Sequence, residues 1–97
     1  MELVQRNQYI KLLKKKLKFK EDLHTYVCLT ENQMQMKEYE QVLKSLERMD
    51  KKWHRNEEYW IIRIRYYVEL KQGKELKETL EQIQQEHIYL SAKGKEA

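Results

Sequence analysis

An all-α fold is predicted by three features of this 97-residue chain. It contains no proline and two glycines, Gly73 and Gly94, both late. Good helix formers (Lys, Glu, Gln, Leu and Met) dominate it. Its apolar residues recur at helical spacing from Leu3 to Ile88. The segment from Tyr59 to Leu70 holds nine apolar or aromatic residues in twelve, in a chain that is 37% charged. As a helix it can spare only a narrow side for water, so it is expected to be the central element. The length allows one domain, 1–97, with a modest core.

About five helices follow from the pattern. Residues 3–18 place Leu3, Ile10, Leu13 and Leu17 on one face, with Val4 and Leu12 beside them and lysine on the remainder. A break is expected near Phe19–Glu21, and Glu21 and Asp22 suit the start of a second helix, about 21–34. Its stripe is Leu23, Tyr26, Val27, Thr30 and Met34. A third helix is expected from Met36–Lys37 to about Met49, with Tyr39, Val42, Leu43, Leu46 and Met49 inward. Asp50 to Asn56 reads as a charged connector containing Trp53. Asn56 is a good N-cap for the central helix, with Glu57 and Glu58 in its first turn. Gly73 fits the residue just past that helix's end. The last helix runs from about Lys74 to Ile88, with Leu76, Leu80, Ile83 and His87 as its stripe. The tail, 91–97, either starts another helix or frays.

Charge is unevenly distributed. Residues 1–20 carry seven Lys/Arg against Glu2 alone, whereas 21–97 carry thirteen basic and fifteen acidic residues, so the net charge of +4 belongs to the N-terminal segment. The longest apolar run is far below the roughly 20 residues of a membrane span. Lysines occupy the place of a secretory h-region. A single cysteine, Cys28, excludes an internal disulfide framework and a cysteine-based zinc site. A cytoplasmic location is the default expectation.

A displacement of 34 residues aligns Tyr26 with Trp60, Val27 with Ile61, Val42 with Leu76, Leu46 with Leu80 and Met49 with Ile83. Leu29 against Arg63 and Gln33 against Tyr67 do not match. The chain here resembles the tetratricopeptide-repeat family, whose unit is a helical hairpin of 34 residues. In the second unit, Trp60, Tyr67, Gly73, Leu76, Leu80 and Ile83 fall on that family's pattern. In the first, Tyr26, Tyr39, Val42, Leu46 and Met49 do. The family prefers small residues where this chain has Thr30, Ile64, Val42 and Leu76, and proline where it has His54 and Ile88. The resemblance covers about residues 23–90 and implies two antiparallel hairpins, 21–90, behind a basic amphipathic helix, 1–20. Two hairpins leave end faces exposed, so self-association or a partner chain is expected.

The same resemblance implies a protein-binding groove lined by His24, Val27, Glu31 and Met34 from the first unit. From the second it takes Glu58, Ile61, Arg65, Val68 and Glu69. Arg65 is the natural polar anchor, because a guanidinium pairs well with carboxylate; pairing with Glu58 or Glu69 on its own helix is the plainer reading. Independently, Arg6, Lys11, Lys14, Lys15, Lys16, Lys18 and Lys20 form a basic segment suited to nucleic-acid phosphates or, second, to anionic lipid. A solvated helix face accounts for them equally.

Nothing points to chemistry. His24, His54 and His87 lack metal-ligand spacing, Cys28 has only His24 four residues before it, and no glycine loop cradles phosphate. No metal, cofactor or catalytic residue is expected. The reading is a non-enzymatic interaction protein (adaptor, chaperone or inhibitor), with a small nucleic-acid-binding regulator as the alternative. Residues 91–97 also resemble the wing end of winged-helix DNA-binding proteins, which would require a strand pair before them.

Overall fold

A computed structural model of the chain describes residues 2–91; the tail from 92 onward, with the wing expectation placed on it, lies outside the described residues. Five α-helices and no strand occur among the described residues: α1 Leu3–Phe19, α2 Leu23–Gln35, α3 Tyr39–Trp53, α4 Glu57–Glu69 and α5 Gly73–Gln85. The all-α class is therefore observed, and the strand pair a wing needs is absent from the helical segments before it. The chain groups into two compact units, Met1–Lys52 and Trp53–Ala97.

In the first unit, Asp22 caps α2. Its carboxylate accepts from the Thr25 backbone N–H at 3.0 Å and from the Thr25 hydroxyl at 2.7 Å. Glu21, expected to share that role, instead reaches across to α3. It accepts from Arg48 Nε at 2.9 Å and lies 2.6 Å from Lys52 Nζ. The hydroxyl of Ser45 donates to Gln33 Oε1 at 3.1 Å nearer the turn, so α2 and α3 run antiparallel. Val42, Leu46 and Met49 are buried as the spacing predicts, while Leu43 is exposed.

The helix α1 packs on a second side of α2 and so buries more of it than one stripe. Thr25, Leu29 and Asn32 join Tyr26, Thr30, Gln33 and Met34 among the buried residues. The polar ones are satisfied at short range. Thr30 Oγ1 donates to the Tyr26 carbonyl at 2.8 Å, and Asn32 donates to the Cys28 carbonyl at 2.7 Å while accepting from Arg6 at 2.7 Å.

In the second unit, Asn56 caps α4 as expected, accepting from the Glu58 N–H at 2.9 Å. Tyr59, Trp60, Ile62, Ile64, Tyr66 and Tyr67 are buried. The segment before α4 is fastened to the end of α5: His54 Nε2 lies 2.6 Å from Glu86 Oε1, and Arg55 donates to the Glu86 and His87 carbonyls at 3.1 and 3.3 Å. The Ser91 N–H donates to Glu57 at 2.6 Å at the same end, so α4 and α5 are also antiparallel. These bonds hold Glu86 below the usual carboxylate range, chiefly through His54 and then Gln82.

Three boundaries differ from expectation. The helix α3 continues to Trp53, because Asp50–Lys52 is charged but contains no helix breaker. Gly73 opens α5 instead of ending α4, and nothing stands within 4 Å of a Cβ placed there. The helix α5 stops at Gln85, so His87 leaves the expected stripe; within the helix Ile83 is buried as expected, whereas Leu80 is exposed and its neighbour Thr79 is buried in its place.

The helices α2, α4 and α5 end in one motif. Lys37, Lys71 and His87 have φ of 58°, 55° and 54°, and the following N–H in each case returns to the carbonyl five residues back: Glu38 to Gln33, Gln72 to Tyr67, Ile88 to Ile83. A non-glycine residue in this left-handed region costs roughly 1–2 kcal/mol. Lys37→Gly and Lys71→Gly are therefore each expected to raise unfolding free energy by about 0.5–1 kcal/mol after the added chain entropy of glycine. Urea denaturation monitored by circular dichroism checks this.

The 34-residue displacement recurs in these landmarks. The caps are Asp22 and Asn56, the next helices start at 23 and 57 and end at 35 and 69, the left-handed residues are Lys37 and Lys71, and α3 and α5 start at 39 and 73. Burial follows the same step at Thr25 and Tyr59, Tyr26 and Trp60, Thr30 and Ile64, Asn32 and Tyr66, Gln33 and Tyr67, and Met49 and Ile83. Gln33 against Tyr67, dissimilar as side chains, are thus equivalent as positions.

Candidate functional site

The groove residues of the first unit, at i, i+3, i+7 and i+10, lie within about 80° of one another on α2 but differ in exposure. His24 is exposed and Val27 and Glu31 are half-buried. Met34 is 5% exposed and not available to a partner, because it lies four residues after the fully buried Thr30 and continues the row of Tyr26 and Thr30.

Those of the second unit form a coherent outer side of α4. Ile61, Arg65 and Val68 are spaced by four and three residues, which brings them onto one helix face. Ile61 is half-buried, Arg65 exposed, and Val68 53% exposed; Glu58 and Glu69 are exposed at the two ends of the row. The rest of the helix is turned inward, with Tyr59, Trp60, Ile62, Ile64, Tyr66 and Tyr67 all buried. The outer face therefore combines apolar surface, one guanidinium and carboxylates at its ends.

Arg63, singled out by sequence only as a mismatch with Leu29, sits among aromatic rings. Its guanidinium carbon lies 5.5 Å from the Trp60 ring centroid, 5.8 Å from that of Tyr67 and 6.0 Å from that of Tyr59, and it donates to the Tyr59 hydroxyl. A cation over ring faces is attracted by their quadrupoles. Arg63 thus takes the position of an apolar residue with its stem and rings as packing. An arginine amid tyrosines spaced at i−4 and i+4 is the signal that was available in sequence.

The basic segment forms the surface of α1 and the residue after it. Lys11, Lys14, Lys15, Lys16, Lys18 and Lys20 are all exposed. Arg6 stands apart, half-buried and bonded to Asn32. The apolar residues of α1 do not share one face. Ile10 and Leu13 are buried and Leu17 half-buried; Leu3 is on their face yet exposed near the start of the helix, and Val4 and Leu12 are exposed because each points roughly 100° away from that face. Phe19, the chain's only phenylalanine, is 87% exposed.

Chemical groups are sparse. His24 Nε2 and Cys28 Sγ are 3.7 Å apart on α2, an exposed contact of a half-buried free cysteine. Among the described residues, no group of three or more His, Cys, Asp or Glu is placed to hold a metal, and no helix is long and apolar enough to cross a membrane. Open depressions of about 400 Å³ and 360 Å³ lie at the starts of α3 and α4. Each is lined mainly by consecutive residues, Lys37–Gln41 in one and Arg55–Glu58 with Tyr89 in the other. Comparison with protein-family models, with curated proteins and with solved structures finds no match to this chain.

Proposed function

We propose that this chain is a non-enzymatic helical-hairpin protein, tetratricopeptide-like in its repeat, that binds another protein or a second copy of itself through the outer face of α4. The observation that carries the reading is the two-sided character of that helix. Most of its circumference is committed to the core through Tyr59, Trp60, Ile62, Ile64, Tyr66 and Tyr67, while the remaining strip presents the half-buried Ile61 with the exposed Arg65 and Val68. The recurrence of caps, left-handed residues and burial at a 34-residue step supports a hairpin repeat as the scaffold. An adaptor, a chaperone or an inhibitor would use such a face alike: apolar side chains of the partner bury against Ile61 and Val68, and rim charges select among partners.

The test uses variants on that face. Val68→Glu with Ile61→Glu introduces charge where a partner would bury apolar surface, and a loss of affinity of about 100-fold or more is expected for the copurifying protein, or for the dimer in sedimentation equilibrium. Lys14, Lys15 and Lys16→Glu should leave that affinity within a few-fold. The reverse ranking, with binding destroyed by the lysine changes and indifferent to Ile61 and Val68, would sink the proposal and favour the nucleic-acid regulator, whose affinity falls steeply with salt.

A further inference from the structure

We propose that the outer face of α1 docks on an anionic lipid surface, with Leu12 and Phe19 entering the headgroup boundary. The helix is apolar on two sides. Ile10, Leu13 and Leu17 turn toward α2, whereas Leu12 and Phe19, seven residues apart, lie on one row on the far side, 63% and 87% exposed. Helical geometry puts Lys15 and Lys16 within about 60° of that row, one on each side, and Lys11 and Lys18 about 100° round on the flank that also carries the exposed Val4. Residues 1–20 contain one carboxylate, Glu2, at the far end. The face is therefore an apolar ridge rimmed with ammonium groups, whose stems lie along the ridge while their heads reach lipid phosphates.

The apolar ridge decides among anionic occupants. A nucleic acid would use the lysines and could stack one base on Phe19, but it leaves Leu12 and Val4 in water, since aliphatic side chains offer bases nothing to stack on. A second copy set α1 against α1 would place lysines on lysines, and residues 21–97 offer a net charge of only −2, thirteen basic against fifteen acidic residues. A lipid surface matches both halves of the face, taking the side chains into its boundary and the charges at its phosphates.

The experiment is vesicle flotation of the full chain with phosphatidylcholine alone and with phosphatidylcholine containing about one-third phosphatidylglycerol. Flotation is expected only with the anionic vesicles. Replacing Lys11, Lys15 and Lys18 by Gln is expected to lower partitioning about 100-fold. Leu12→Ser with Phe19→Ser should lower it about tenfold or more, and Phe19→Leu should retain it. All these side chains are exposed, so circular-dichroism melts should match the parent. Absence of flotation, or flotation of the double-serine variant equal to the parent, overturns the proposal. So does lysine-dependent binding of an oligonucleotide in the absence of vesicle binding.

Discussion

Trp60→Ala is expected to remove about 3–5 kcal/mol of stability, a large part of the about 5–15 kcal/mol available to a domain of this size. The indole is fully buried. It lies edge-on to Tyr59 at 4.9 Å and to His54 at 5.3 Å, beneath the Arg63 guanidinium, and its Nε1–H donates to the His54 carbonyl. Truncation leaves a cavity among aromatic rings, removes the indole's hydrogen bond to the His54 carbonyl, and leaves the guanidinium without one of its ring faces. Loss is expected as a lower urea midpoint, with helicity around α4 and α5 failing first in amide exchange. A cost below about 1 kcal/mol would show that the side chain is not in this core.

Gln33→Glu is expected to cost a similar amount at neutral pH for an electrostatic reason. Gln33 is 1% exposed, and its Oε1 accepts from the Ser45 hydroxyl. A carboxylate of the same shape must either be charged out of water or stay protonated, so burial raises its pKa, by roughly 3 units or about 4 kcal/mol at pH 7. The sign follows. In the unfolded chain the group ionises near its ordinary value, about 4.3, whereas in the fold it resists. The penalty is therefore absent below that value, grows as pH rises, and levels off above the folded pKa. Parent and variant compared at each pH should converge near pH 4 and diverge toward pH 7. The comparison must be pairwise, because Glu21, Asp22 and Glu86, all held below their ordinary values, change the parent in acid too. A gap independent of pH would place position 33 in contact with water.

The helical class and the five elements were legible in the sequence because they rest on local chemistry. Asp22 and Asn56 are capping residues, and Tyr26, Val42, Met49, Trp60 and Ile83 fall at core spacing. The departures have tertiary causes. A single-stripe reading of α2 could not anticipate Thr25, Leu29 and Asn32, which are buried because a second helix packs there. Glycine at 73 drew the helix end to itself, whereas Lys71 carries the left-handed conformation two residues earlier. Of the candidate site, the outer face of α4 is a single row, but Met34 is buried and Arg6 is bonded to Asn32, so neither joins a binding surface. The break expected near Phe19–Glu21 is where α1 ends, and Phe19 itself is the exposed last residue of that helix.

The central claim, that the chain works by holding a protein, is tested most directly by purifying the untagged chain from its own cells with and without nuclease treatment. A protein, or a second copy of the chain, retained in defined proportion and insensitive to nuclease is the result expected here. Recovery of nucleic acid with no retained protein, abolished by the nuclease, would contradict it.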